Sequence, residues 1–415
     1  MITLPKGTKD VLPEESYKWQ YLENKIREIA GLYGLSEIRT PTFEATELFL
    51  RGVGETTDIV NKEMYTFMDK GNRSMTLKPE GTAGVARSVI ENSLTMNQLP
   101  LKMYYLTPVF RYERPQSGRL REHHQFGVEI YGADSGISDA EVISIAKRLF
   151  DSLGINNLEL NINSIGCSKC RAQYNEALKL YLKTNLDKMC ETCKERFDKN
   201  PLRILDCKND DCIAINANAP IIQDYLCEDC VKHQNDLISS LKTLNISCKI
   251  NPRIVRGLDY YTKTVFEFVS NNIGAQGTVC GGGRYNNLIE EIGGKTCPAV
   301  GFGMGLERII MVMEQLKLPI GVKKRTDIYI APLGETTALC LKLIQELRDK
   351  GYSAEVDLMS RSLKAQLKYA NKINTRYLAV IGSEEELSGQ VKLKNMDSGK
   401  ETIINISEID KNIEV

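Results

Sequence analysis

Four arginines crowd one short stretch, Phe110-Arg111-Tyr112-Glu113-Arg114-Pro115-Gln116-Ser117-Gly118-Arg119-Leu120-Arg121, lying between two runs that read as strands. Each guanidinium is a planar fork that takes two oxygens and stays charged at any working pH, so several on one loop suit a polyphosphate. A solvated basic loop has the same composition, and the loop alone favours that plainer reading. A second cluster, Arg256-Gly257-Leu258-Asp259-Tyr260-Tyr261, joins a cation, a flexible glycine and two phenols. It can line a polar pocket, or form a turn followed by buried rings. Gly281-Gly282-Gly283-Arg284-Tyr285 and Gly301-Phe302-Gly303-Met304-Gly305-Leu306-Glu307-Arg308 add two backbone-permissive stretches. The second leads into a helix but carries Leu306 where a dinucleotide fingerprint needs its third glycine, which argues against a Rossmann site.

Cysteine supplies a different chemistry. The pairs Cys167-x2-Cys170, Cys190-x2-Cys193, Cys207-x4-Cys212 and Cys227-x2-Cys230 fall in one region rich in Lys and Asp. Tetrahedral zinc wants four thiolates, and closely spaced pairs bring two from one turn, so two closed sites are expected, with reduced buried thiols as the plainer alternative. His233 is a spare candidate ligand, whereas His123 and His124, beside a strand and away from any thiol pair, are expected to be structural.

The elements that must position these residues follow from periodicity. Trp19, Leu22, Ile26, Ile29 and Leu32 recur at helical spacing, with Gly34 as C-cap. Glu37-Ile38-Arg39-Thr40-Pro41 reads as an edge or interface strand, because its proline cannot donate to a central ladder. Leu101 to Phe110 and Gln125 to Tyr131 predict a long antiparallel hairpin; Thr264 to Val269 and Thr278 to Cys280 predict strands; Gly305 to Leu316 predicts a helix. After Lys323-Lys324-Arg325 the pattern alternates: strand Ile328 to Ala331, helix Thr337 to Lys350, strand Ala354 to Asp357, helix Ser362 to Lys372, strand Tyr377 to Ile381. The expected organisation is therefore a core over 1–325 interrupted by a cysteine-rich insertion at 166–235, then a separate α/β domain over 326–415.

With 415 residues, 42% hydrophobic and 26% charged, the chain is long enough for two or three folded units and too apolar for disorder. Its 54 basic and 54 acidic residues give no general attraction to nucleic acid, so any RNA contact must be local. No apolar run reaches the length of a membrane span and the opening residues do not read as a signal peptide, so a cytoplasmic protein with no membrane partner is expected.

Together these segments resemble class II aminoacyl-tRNA synthetases, the histidyl family in particular, over nearly the whole chain. Glu37 to Pro41 with Glu44 is similar to the first class motif, Phe110-Arg111-Tyr112-Glu113 to the second, and Gly301 to Arg308 to the third. Arg256 to Tyr261, Gly281 to Tyr285 and Pro79-Glu80-Gly81-Thr82 are similar to histidine-specific segments. The resemblance implies an α+β fold: an antiparallel catalytic sheet with an inserted domain, then a C-terminal α/β anticodon-binding domain. It implies ATP with Mg2+, L-histidine and the histidine tRNA as substrates, and a homodimer formed through the first motif.

The same resemblance assigns roles. Arg111 would hold the α-phosphate, Arg308 the γ-phosphate and Arg119 the pyrophosphate side, with Glu113 near the adenine. Arg256 would stabilise the transferring group. Glu80, Gly81, Thr82 and Gln125 fall where the family binds the α-amino group, Glu129 and Tyr261 where it reads the imidazole, and Tyr260 and Tyr285 would complete the pocket. A site that hydrogen-bonds a polar side chain rejects apolar amino acids by about 10⁴ to 10⁵ unaided, so no editing domain is expected. The rival reading is a histidine-sensing regulatory subunit of ATP phosphoribosyltransferase, in which the segment matching Arg256 to Tyr261 is degraded and the C-terminal domain is missing.

Overall fold

The computed structural model describes residues 1–54, 57–96, 98–115, 118–270 and 277–414. Contacts divide the chain into two units, Met1–Gly321 and Val322–Val415. The division precedes Arg325 because that residue pairs with Asp397 at 2.8 Å and donates to the Asn374 carbonyl, both in the second unit.

The first unit holds strands β1 (Ser36–Glu37), β2 (Phe43–Ala45), β3 (Tyr65–Met68), β4 (Ser74–Leu77), β5 (Leu101–Phe110) and β6 (Glu122–Tyr131). It continues with β7 (Leu158–Ser164), β8 (Lys249–Ile250), β9 (Thr262–Ser270), β10 (Thr278–Arg284) and β11 (Ala299–Gly305). One sheet runs in the order β1-β5-β6-β11-β10-β9-β7-β8, and a small one in the order β2-β4-β3. From β5 through to β7 every neighbouring pair is antiparallel, while the short outer strands β1 and β8 pair parallel. The expected hairpin forms in full, with Leu101 opposite Tyr131 and Phe110 opposite Glu122.

Strand alternation gives this sheet two different faces. Tyr104, Phe126, Val128, Ile130, Phe266, Phe268, Val300, Phe302 and Met304 point to one side and form the main core with helices Ser16–Leu32, Gly136–Ser152 and Leu306–Gln315. The other face carries Tyr105, Thr107, Gln125, Glu129 and Glu267, and the glycines at 127, 281, 283, 301 and 303 share it through the register. The glycine runs are thus central strand, so the strand expected at Thr278 to Cys280 continues to Arg284 and a further strand fills Ala299–Gly305. A Cβ at Gly301 would strike the Glu129 carboxylate, at Gly303 the Gln125 amide, at Gly281 the Arg256 guanidinium and at Gly127 the Tyr105 ring. These glycines are there for close approach of side chains across the sheet.

Between β7 and β8 lie helices Ser168–Lys183, Glu191–Lys199, Asp210–Asn216 and Glu228–Thr243, with a cluster of their own built on Tyr174, Leu178, Leu182, Met189 and Ile204. The last helix runs past residue 235, and its Leu237 and Leu241 join the main core. That shared core keeps this segment inside the first unit.

The second unit has strands β12 (Ile328–Pro332), β13 (Ala354–Val356), β14 (Tyr377–Ile381), β15 (Gln390–Asn395) and β16 (Glu401–Asn405) in the order β13-β12-β14-β15-β16. The first three are parallel with helices Thr337–Asp349 and Leu363–Lys372 between them; β15 and β16 add an antiparallel hairpin that the sequence pattern did not announce. Among the described residues no helix is long and apolar enough to cross a membrane.

On the core face, a Cβ at Gly282 would meet the Gly301 carbonyl and Phe302 and Phe266. Gly282→Ala should therefore cost about 1 to 3 kcal/mol of stability by overpacking. Urea unfolding of the two proteins checks this; an unchanged midpoint would mean that the strands separate freely there.

Candidate active site

One cavity of about 710 Å³ opens on the polar face of the large sheet. Of the residues expected to bind substrates, Glu80, Thr82, Arg111, Glu113, Arg119, Gln125, Arg256, Tyr260, Tyr261 and Arg308 line it. They arrive from the turn between β4 and helix Thr82–Glu91, the β5–β6 connection, β6, the loop before β9 and the start of the helix after β11. Arg111 Nε donates to the Pro79 carbonyl at 2.7 Å, and Arg308 Nη1 donates to the Thr278 carbonyl at 2.6 Å. Glu113 is the carboxylate among these cations, 3.3 Å from Arg119 and 3.9 Å from Arg111. Arg111, Arg119 and Arg308 thus stand together on one wall of the cavity, and guanidinium groups so grouped can take the oxygens of a polyphosphate. Burial, then the neighbouring Arg119, lowers the pKa of Arg308. Gln116 and Ser117 of the arginine loop lie outside the described residues.

Arg256 forms an ion pair with Glu267, whose other oxygen accepts from Thr278 Oγ1 at 3.0 Å. Both carboxylate oxygens of buried Glu80 accept backbone N–H groups, Thr82 and Ala83 at 2.7 Å each, where helix Thr82–Glu91 begins. The Gly81 N–H donates to Gln125 Oε1 at 3.0 Å, and Gly81 itself leaves room for the Tyr105 ring.

Gly81, Glu129 and Tyr285 do not line the cavity. Glu129 is fully buried beneath its wall: Oε1 accepts from Thr82 Oγ1 at 2.8 Å and Tyr105 Oη at 3.2 Å, and Oε2 accepts from Tyr285 Oη. Both Glu129 carboxylate oxygens are thus already bonded to neighbouring hydroxyls, while Tyr261 stands on the cavity wall. Burial pushes the Glu129 carboxyl up from 4.5 to about 8, against the pull of the Tyr285 and Thr82 hydrogen bonds. Tyr105 escaped the sequence reading; its signal was the register that sets it opposite Gly127, two residues before Glu129.

The two histidines separate. His124 is structural, held by Glu307 through its backbone N–H at 2.9 Å and Nδ1 at 3.1 Å, with Trp19 edge-on. His123 instead lines the cavity, where burial first and then Arg111 and Arg308 pull its pKa down to about 3, so it stands neutral among the arginines.

The eight cysteines converge as two quartets, Cys167, Cys170, Cys227 and Cys230, and Cys190, Cys193, Cys207 and Cys212, the sulfurs within each all lying within 4.8 Å of one another. Cys167 is 3.5 Å from Cys170 and 3.9 Å from Cys227, and Cys190 is 3.7 Å from Cys207. Tetrahedral zinc with bonds of about 2.3 Å sets its sulfurs roughly 3.8 Å apart, so both quartets fit a metal. His233 belongs to neither, since its Nε2 lies 2.7 Å from Asp139 Oδ2 inside the protein.

A profile of the histidyl-tRNA synthetase family matches residues 7–309, and one of the anticodon binding domain matches residues 327–414. The chain belongs to the histidyl-tRNA synthetase family. It is 58% identical over 410 residues to the histidine–tRNA ligase of Caldanaerobacter subterraneus subsp. tengcongensis, covering 99% of this chain and 98% of that protein. It is 57% identical over 412 residues to that of Clostridium botulinum strain Langeland, with the same coverage. Among solved structures, apo histidyl-tRNA synthetase from S. aureus superposes with a TM-score of 0.85 at 37% identity, covering 99% of each chain. This synthetase fold thus extends through the C-terminal unit as well as the catalytic sheet.

The raised Glu129 pKa makes stability depend on pH. From its ordinary value of 4.5 up to about 8 the native carboxyl keeps a proton that the unfolded chain has released, so stability falls as pH rises across that window. Glu129→Gln should flatten this fall. Urea unfolding at several pH values between those limits reads it, and identical slopes in both proteins would return Glu129 to an ordinary carboxylate.

Proposed function

We infer that this synthetase activates L-histidine with ATP, releasing pyrophosphate, and then transfers histidine from the adenylate to the 3′ end of the histidine tRNA, working in the cytoplasm. The observation that carries the reading is the convergence of Arg256, Tyr260 and Tyr261 with Arg111, Arg119 and Arg308 on one cavity. The histidine carboxylate attacks the α-phosphorus, a new P–O bond forms, and pyrophosphate leaves. No general base is needed, because the carboxylate is already ionised at neutral pH. Arg111 holds the α-phosphate, Arg308 and Arg119 the departing end, and Glu113 the adenine side. Arg256 is the fixed cation beside the charge that builds on the transferring group, and a preset cation stabilises that charge at little reorganisation cost. Magnesium would come with the nucleotide and offset phosphate charge, and Glu113 and Glu307 on the cavity wall would be the oxygen donors of the kind it prefers.

Glu80, Gly81, Thr82 and Gln125 form the amino-group end. Tyr261 meets the imidazole directly, and Glu129, backed by Tyr285, reaches it when its hydroxyl partners rearrange. The regulatory-subunit reading is disfavoured, since Arg256 to Tyr261 stands intact in the cavity wall. A homodimer through the first-motif region is supported by the half-exposed rings of Phe43 and Phe67, which pack edge to face on the small sheet. Zinc is the metal that suits both all-cysteine quartets, in a structural role.

Arg256→Ala should lower histidine-dependent exchange between ATP and pyrophosphate by about 10² or more while histidine binding stays measurable. The same assay across the amino acids tests the whole reading. Exchange with an amino acid other than histidine would overturn it, and a wild-type rate in the variant would remove Arg256 from the chemistry.

The C-terminal unit reads the anticodon, but not through every basic residue that the sequence offers. Arg348 donates to the Ala354 carbonyl, Lys350 pairs with Asp410, Arg361 with Asp357 and Arg376 with Asp327. Lys364, Lys368 and Lys372 form no ion pair among the described residues and stand exposed at every fourth position of helix Leu363–Lys372. Replacing all three with alanine should weaken tRNA binding and shrink its salt slope by roughly two, with exchange unaffected. An unchanged salt slope in a filter-binding titration would mean that RNA lies on another face.

A further inference from the structure

The second cysteine quartet reaches the catalytic loop through a short, traceable path. Cys193 sits in helix Glu191–Lys199, and Cys207 follows the turn Pro201–Asp206; the residues between these two ligands contact the loop that carries Arg256. Asn200 Nδ2 donates to Asp259 Oδ1 at 2.9 Å, and Arg203 Nη1 donates to the Arg256 carbonyl at 3.1 Å. Arg203 is only 7% exposed, and the neighbouring Arg196 pairs with Asp58 at 2.7 Å. Asp206 and Lys208, on either side of Cys207, line the active-site cavity itself. The loop from Ile254 to Tyr260 has no helix or strand of its own, so partners of this kind decide where it lies.

The quartet is built for a metal. The Cys190 N–H points at Cys212 Sγ at 3.3 Å and the Asn209 N–H at Cys207 Sγ at 3.5 Å, the charge-offsetting bonds a thiolate site needs. Asn209 Oδ1 also accepts the N–H groups of Asp211 and Cys212, fixing the turn that presents the last ligand. Without a metal, the four thiols would tie the ends of the stretch from Cys193 to Cys207 only through weak sulfur hydrogen bonds and packing.

We propose that zinc bound by Cys190, Cys193, Cys207 and Cys212 clamps Asn200 and Arg203 onto the Arg256 loop, making Arg203 a positioning residue for histidine activation and coupling adenylate formation to the metal. The proposal rests on the zinc and synthetase readings above, and it adds the coupling. Arg203 touches no substrate in this scheme. It fixes the backbone from which the Arg256 side chain reaches the cavity, and small displacements of such a group are costly.

The test uses the full-length protein, its zinc content, and steady-state histidine-dependent exchange. Wild type should carry two zinc ions, one per quartet, and Arg203→Ala should keep both. Arg203→Ala should lose about tenfold in kcat with KM for ATP and histidine within about twofold, and Arg203→Lys should recover part of it. Cys212→Ser should lose one zinc and a similar part of kcat, and the double variant should lose no more than the worse single one. If Cys212→Ser does not fold, chelation of wild type followed by zinc return should lower and restore kcat in its place. Freely titratable thiols and no zinc in wild type would overturn the metal reading. Absence of histidine-dependent exchange in wild type would overturn the synthetase reading, with the zinc count still standing. A zinc-replete Arg203→Ala with wild-type kcat, or losses that multiply in the double variant, would overturn the coupling alone.

Discussion

A side chain can lie flat across a β-sheet only where the strand beneath it has no Cβ, and the active site is organised around that constraint. Glu129 lies over Gly301, Gln125 over Gly303 and Arg256 over Gly281, with the Tyr105 ring over Gly127. The antiparallel register brings these glycines side by side: Gly281 faces Gly303, which in turn faces Gly127. The result is a polar trough in the middle of a sheet whose opposite face packs the main apolar core. Glycine costs strand stability through its backbone entropy, and the packing of Phe126, Phe266 and Phe302 on the far side offsets that cost.

Within the trough the charges are arranged so that few stand alone. Arg256 has Glu267, the arginine loop has Glu113, and Glu80 has the N–H groups of a helix start. The exception is Glu129, which has hydroxyl donors but no cation and is consequently pushed toward its neutral form. A carboxyl held near its neutral form beneath the cavity can donate as well as accept a hydrogen bond, which an ordinary ionised glutamate cannot. Behind it, Arg284 is fully buried and donates to Asp139 at 3.1 Å, while Asp139 also meets His233 of the cysteine-rich segment. The sheet, the segment between β7 and β8, and the pocket are therefore joined by buried polar contacts, which are costly to break singly.

Much of this was legible in the residues. The amphipathic helix at Ser16–Leu32, the β5–β6 hairpin and the β-α-β-α-β opening of the second unit follow from local periodicity, which tertiary packing here reinforces. The final β15–β16 hairpin was not, because Gln390–Asn395 carries alternating lysines that look like surface until Val391 and Leu393 are seen to turn inward. The cysteine pairs announced their chemistry, but not which pair joins which: the outer pairs meet each other and the inner pairs meet each other, a nesting that depends on how the helices of the segment fold back.

The sequence by itself determined the chemical inventory: arginines for phosphate, phenols and carboxylates for a polar side chain, and thiols at metal spacing. Only the tertiary structure decided their depth and their company. It placed His123 on the cavity wall and His124 against Glu307, sank Glu129 and Tyr285 beneath the surface, and withdrew four of the basic residues of the second unit into ion pairs or carbonyl contacts. The reason is physical. Residue type and spacing fix what a group can do, but burial and partners are set by residues far away along the chain, through a cross-strand register that no local pattern contains.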